Sequence, residues 1–264
     1  MKKAIILFAS ILSLVSCGHL TEAQEPNISS DMATNSKMDT TTYPDKSPAE
    51  YSSVVKVEGD RNIYYDIDEL FEASDIVVIG EFIGDIYQDT SYQYIEEFKK
   101  PVLFNAVSHC NISVKKVIKG TPSDILSISQ CYGISNEGEL VSFSGLSPMQ
   151  KGDIWVFFLN YDEVNDTYWC EGDFTGRYPL PDETMRSKAN EYKNAVLKYE
   201  ELLSETENKL SSSDQQKEAD SYISKINEIC GSVTPEEMGL IDNENLNLKF
   251  ALFSDLITKY EIDI

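Results

Sequence analysis

The sequence predicts an α+β chain: a small antiparallel β-barrel of five to six strands, followed by a C-terminal helical segment. Three observations carry that expectation. Between Val54 and Leu180, short β-branched and aromatic runs alternate with turn residues. From Asp182 onward, apolar residues return every three or four positions instead. Ahead of both lies a stretch too polar to bury a core.

Asp66, with Glu69 three residues on, caps a short helix through Leu70 and Phe71. The run Ile76-Val77-Val78-Ile79 is too short for a buried helix and reads as a core strand continuing to about Ile83. A second strand covers residues 105–118, with Ile112 and Val114 on one face and Ser113 and Lys115 on the other. Lys119-Gly120-Thr121-Pro122 turns it into a third strand, 125–131. Lys151-Gly152-Asp153 introduces a fourth, 154–159, and the polar loop from Asp162 to Asp166 turns that one into 167–170. Joined mostly by hairpins, these strands fit a closed or partly open barrel with Val77, Ile79, Val114, Ile128, Val156 and Phe158 directed inward. Residues 51–181 form this expected barrel domain.

Residues 182–264 form the expected helical region. Met185, Ala189, Tyr192, Val196, Tyr199, Leu203, Thr206 and Leu210 recur at spacings of four and three, a heptad-like seam on one long helix. A second helix, 215–230, stops at Gly231; Thr234-Pro235-Glu236-Glu237 carries another helix start. A last helix puts Leu246, Phe250, Phe253, Ile257 and Tyr260 on one face. Tyr192 and Tyr199 suit a surface that is half buried and half wet, so the seam has two readings. Either the last helix covers it, or part of it binds a partner.

At the other end, Lys2 and Lys3 precede an apolar run, residues 4–14, too short to span a ~30 Å hydrocarbon core comfortably. Leu14-Val15-Ser16-Cys17-Gly18 follows directly. This resembles the bacterial lipobox, which implies a signal peptide over 1–16 and a diacylglycerol cysteine at Cys17 carrying acyl chains such as palmitate. Residues 17–50 then read as lipid anchor and flexible tether, rich in Ser, Thr, Asn and charge. The 32 residues from Gly18 to Ala49 would hold the domain on the order of 30 Å from the bilayer. The expected location is the extracytoplasmic face of the cell membrane, with the Cys17 lipid as the sole membrane contact, because no later stretch is apolar enough to span.

The net charge of −23 repels phosphate backbones, so nucleic acid is not an expected partner. Only His19 and His109 exist, and His19 lies in the tether. His109 and Cys110 are strand neighbours, so their side chains leave opposite faces and cannot pair as base and nucleophile. Four cysteines remain beside Cys17, and Cys110, Cys131, Cys170 and Cys230 match no zinc spacing. The Gly120 hairpin brings Cys110 and Cys131 close as a candidate disulfide. If Ile112 pairs with Ile128, however, Cys131 falls on the other face, and a one-residue bulge is needed. Buried thiols are the alternative.

Asp162, Glu163, Asn165 and Asp166, and likewise Asp242, Asn243, Glu244 and Asn245, offer oxygen ligands without calcium-loop spacing, and read as turn and cap chemistry. The segment Glu171–Tyr178, with Arg177, reads as a turn into a closing strand or the lining of a small polar pocket. No catalytic, cofactor-binding or metal-ligating set is found, and no cofactor is expected.

The strand motifs also carry a resemblance. "ASDIVVIGE" from Ala73 to Glu81, "VKKVIKG" from Val114, "ILSISQ" from Ile125 and "KGDIWVFFL" from Lys151 resemble a largely uncharacterised group of Gram-positive-type bacterial lipoproteins and secreted proteins. More distantly, their order is similar to the netrin-like barrels of metalloproteinase inhibitors, an OB-type fold. The resemblance covers roughly Leu70 to Leu180 and implies fold positions only. Those inhibitors present a free amino-terminal cysteine to the protease metal. Here the expected amino-terminal Cys17 is acylated and lies tens of residues upstream, so inhibition does not carry over.

The expected function is therefore that of a non-enzymatic binding or adaptor module of the cell envelope, with an envelope protein or glycan as partner. The alternatives are an envelope enzyme with a scattered Asp/Glu pair, such as a glycan hydrolase, or a divalent-cation module.

Overall fold

Strand and helix signals read from the sequence assemble around two apolar layers rather than one. The structure, a computed structural model, describes residues 34–38, 51, 53–57, 62–143, 145–206, 213–234, 238–239, 241–260 and 262. The expected leader, Cys17, His19, the tether apart from residues 34–38, Leu210 and Pro235-Glu236-Glu237 lie outside the described residues. In chain order the elements are β1 (Thr34–Met38), β2 (Val54–Val57), α1 (Ile67–Ala73), β3 (Ile76–Ile95), β4 (Lys100–Lys119) and β5 (Ile125–Gln130). There follow β6 (Tyr132–Ile134), β7 (Leu140–Phe143), β8 (Ile154–Asp162), β9 (Thr167–Cys170) and β10 (Arg177–Pro179). The helices α2 (Glu183–Thr206), α3 (Ser213–Gly231) and α4 (Asn243–Lys259) end the chain.

Strands β3-β4-β5-β9-β8 form one sheet that closes because β8 also pairs with β3. This five-stranded barrel is OB-like. Its ladders are antiparallel except for β5–β9, which run parallel. A parallel pair needs a long crossover between its strands, here from β5 to β9. The chain supplies it with β6 and β7, which join β2 in a three-stranded sheet beside the barrel. Gly133 on β6 has no room for a side chain, since a Cβ there would lie 2.8 Å from Ala106 Cβ and 2.9 Å from Gln88.

The inward set needs a correction. Ile128, with Val114 at its margin, does point into the barrel, where it joins Ile76, Val78, Cys110, Ile112, Leu126, Trp155, Phe157 and Leu159. Val77, Ile79, Val156 and Phe158 point outward and are fully buried beneath α1, α2 and α4. Successive strand residues face opposite sides. Continuous apolar runs such as Ile76–Ile79 and Ile154–Leu159 are therefore what a strand covered on both faces requires.

Strand lengths also exceed the sequence reading. β3 and β4 pair from Val77↔Lys119 out to Ile95↔Lys100, a hairpin reaching well past the six β3 residues that pair with β8. Strand β1 falls inside the stretch read as tether and pairs antiparallel with β3, Thr34↔Tyr92 through Met38↔Gln88. Its edge is open there because β8 covers only Ile76–Glu81. Among the described residues no helix is long and apolar enough to cross a membrane.

Candidate functional site

The barrel's outer wall has two halves of opposite character. Over β3 and β8 it is apolar and sealed by helices. Over β4, β5 and β9 it is polar, and register builds a network there. His109 lies opposite Tyr87 on β3 and Ser129 on β5, and Ser129 lies beside Trp169 on β9. Because Cys110, Ile128 and Cys170 point in, these residues point out.

His109 Nδ1 is 2.9 Å from Ser129 Oγ, and its Nε2 is 3.2 Å from Asp89 Oδ2. The imidazole stacks on Tyr87 with ring centroids 4.3 Å apart. Ser129 Oγ lies 3.1 Å from Thr167 Oγ1, and the Thr167 hydroxyl donates to the Ser127 carbonyl at 3.1 Å. A neutral ring donates Nε2–H to Asp89 and accepts the Ser129 hydroxyl at Nδ1. A protonated ring donates at both nitrogens, and Ser129 then donates onward to Thr167. Charge on the ring thus sets whether the Ser129 hydroxyl points to His109 or to Thr167.

The order Asp-His-Ser is that of a nucleophilic triad, but the surroundings differ. Ser129 is 1% exposed and sits near the end of β5, paired on one side with β4 and on the other with β9. A substrate carbonyl cannot reach its Oγ, and its backbone lies within the sheet rather than forming an oxyanion hole. The arrangement braces the polar outer wall of β4, β5 and β9. It does not present a nucleophile.

Beside this wall a cavity of about 380 Å³ lies between the start of β5 and the β8–β9 turn, lined by Leu126, Ser127, Tyr161, Asp166 and Tyr168 among others. Tyr161 donates to Asp166 at 2.6 Å, and that hydrogen bond raises the phenol's pKa. Asp162 accepts from Asn165 Nδ2 (2.7 Å), Val164 N (2.9 Å) and Trp169 Nε1 (3.2 Å). These bonds, the Asn165 side chain first, hold its carboxyl below the ordinary range. Asp242 caps α4 through Asn245 N at 2.8 Å. Both acidic stretches are thus engaged in turn and cap chemistry, and no group of three or more metal-type ligands occurs among the described residues.

Arg177 pairs opposite Phe157, so its side chain enters the barrel. It is 1% exposed, donates to Gln130 Oε1 and to the Ser147 carbonyl (2.6 Å), and lies over the Trp155 ring at 4.4 Å. Desolvation lowers its pKa, although a guanidinium remains charged. The closing-strand reading of this segment is met by β10, which places Arg177 inside the barrel as a packed, hydrogen-bonded side chain.

The partner-binding reading of Tyr192 needs correcting in the same way. Tyr192 is 7% exposed, stacks edge-on against Phe250 at 5.2 Å and donates to the Asn247 carbonyl at 3.3 Å. The last helix covers the seam there because Phe250, Phe253 and Leu256 fall on its facing side. Tyr199 is half-buried, and the seam opens past it, with Leu203 38% exposed. For the cysteines, the β4–β5 ladder runs without a shift from Ser108↔Gln130 to Ser113↔Ile125, two residues from the expected register. The bulge that a Cys110–Cys131 bridge requires is not in it. Cys110, Cys131, Cys170 and Cys230 are all buried.

The sequence reading missed Asp89, Ser129 and Thr167 as neighbours of His109. They lie 20, 20 and 58 positions from it, and only strand register brings them together. No protein-family model matches the chain, and neither the curated proteins nor the solved structures yield a match to it.

Proposed function

We propose that the chain is a lipid-anchored extracytoplasmic lipoprotein whose barrel is a non-enzymatic binding module of the cell envelope. The wall around His109 receives an envelope protein or glycan. The observation that carries this reading is the division of the barrel wall: helices seal the apolar half, while a polar half with Tyr87 and Trp169 at its margins is held rigid by the Asp89–His109–Ser129–Thr167 network. In OB-type barrels the second and third strands form the ligand face, and here those are β4 and β5. That link is an analogy of fold.

The lipid anchor rests on Lys2, Lys3, the apolar run and Leu14-Val15-Ser16-Cys17. The non-enzymatic reading is supported by the enclosed Ser129 hydroxyl.

The test is capture from detergent-solubilised native envelope with the full chain, comparing wild type, Asn111→Trp on the wall and Lys198→Glu on α2. The reading expects a partner that wild type and Lys198→Glu retain and Asn111→Trp loses. Equal capture by all three, or carboxylate-dependent cleavage of envelope glycan, contradicts it.

A further inference from the structure

Beyond the barrel, the β3–β4 hairpin ends in a turn, Glu96-Glu97-Phe98-Lys99, with Lys99 at φ +52°. Its large apolar residues are unusually open: Tyr94 is 55%, Phe98 62% and Phe104 65% exposed. Phe104 is the extra residue where the register shifts between Ser91 and Tyr92, so a bulge turns it away from the ladder. The hairpin itself is braced. Tyr92 OH accepts the Asn136 N–H at 2.8 Å, and Gln88 bonds both the N–H and the carbonyl of Ile134 at 2.9 and 2.8 Å. A braced hairpin with an apolar end is a surface awaiting an apolar neighbour.

Strand β1 says which neighbour. It runs antiparallel to β3, with Thr34 beside Tyr92 near the tip and Met38 beside Gln88 nearer the barrel. The chain from Cys17 therefore joins the fold at the hairpin's outer end. Sixteen residues separate Cys17 from Thr34. A polar coil of that length would have an r.m.s. reach of roughly 20–24 Å.

We infer that the end of the β3–β4 hairpin, through Phe98 with Tyr94 and Phe104, rests in the headgroup region of the bilayer that holds the Cys17 lipid. The inference rests on the lipid anchor proposed above. Aromatic side chains favour that interface, where an apolar body and a polar edge are both satisfied. Charge permits the approach: Glu96 and Glu97 are balanced by Lys99 and Lys100, in a chain whose net charge is −23. The hairpin then acts as a second, weak contact that fixes which way the barrel faces. The β8–β9 turn lies at the opposite end, because Leu159 pairs with Ile76 at the start of β3.

Nitroxide labels on Phe98→Cys and Val164→Cys test this, with the acylated full chain in vesicles of phosphatidylcholine and phosphatidylglycerol. Val164 is 91% exposed at the β8–β9 turn, and the native cysteines of the fold are buried. Acyl labelling of Cys17 and vesicle flotation are read on the same samples. The inference expects acylated, floating protein in which the ratio of oxygen to nickel-chelate accessibility is severalfold higher at position 98 than at 164. Acylated, floating protein with equal ratios overturns the hairpin contact and leaves the anchor standing. Dipolar broadening between labels at 98 assigns the tip to a second copy and overturns it too. Absence of acyl label overturns both.

Discussion

Phe157 and Phe158 are chain neighbours, both fully buried, on opposite faces of β8. Phe157 belongs to the barrel interior; Phe158 lies under the helices, edge-on to Tyr178 with centroids 6.0 Å apart. Removing a buried phenylalanine to alanine costs about 3–5 kcal/mol. The Tyr178 pair adds about 0.5–1.5 kcal/mol for Phe158 beyond its area. Each variant should therefore lose a large part of a domain stability of about 5–15 kcal/mol, with Phe158→Ala losing at least as much as Phe157→Ala. Even with coupling between these adjacent positions, the double variant should be largely unfolded. Urea denaturation followed by far-UV circular dichroism measures both midpoints. A cost below about 1 kcal/mol for Phe158→Ala, as for a strand with one wet face, would refute the two-layer packing.

Three further outcomes follow from the same packing. Truncation after Gly231 removes Phe250, Leu252, Phe253 and Leu256, all 1% exposed or less, and should give aggregating protein on size-exclusion chromatography. A stable monomer would contradict internal cover of the seam. Gly133→Ala should cost about 1–3 kcal/mol by overpacking against Ala106 and Gln88, read as a lowered Tm; an unchanged Tm would contradict that close approach. Asp68 accepts from Lys259 (2.7 Å) and Tyr260 (3.0 Å), and chiefly the lysine bond holds its carboxyl below the ordinary 3.8. Because the folded value is depressed, this contribution is present above pH 3.8 and lost as pH falls through the folded value. Lys259→Met should therefore cost under about 1 kcal/mol at neutral pH, this exposed pair being screened, and nothing in strong acid. A gap that persists at low pH would contradict the assignment.

The five barrel strands were legible because β-branched runs and turn residues are local signals. So was the seam, since Met185, Ala189 and Tyr192 repeat along one helix face. Four features were not legible, each for a physical reason. Apolar residues on both faces of β3 and β8 remove the alternation that tells inside from outside, so Val77 and Phe158 could be placed only once the helices were packed. The parallel β5–β9 pair joins strands distant in sequence, and no hairpin turn announces it. His109 finds Ser129 and Asp89 only through register, which a two-residue slip in β4–β5 changes. Arg177 was legible as a strand residue but not as an interior one, because a charged side chain gives no periodic sign of burial.

The lipid on Cys17 is the claim on which the module's place in the cell depends, and mass spectrometry of the protein extracted from membranes measures it directly. The expected result is a mature amino terminus at Cys17, residues 1–16 absent, and a thioether-linked diacylglycerol on that residue, with Cys17→Ala accumulating as precursor or released from the membrane. An unmodified Cys17 in wild-type protein that still fractionates with the membrane would contradict it.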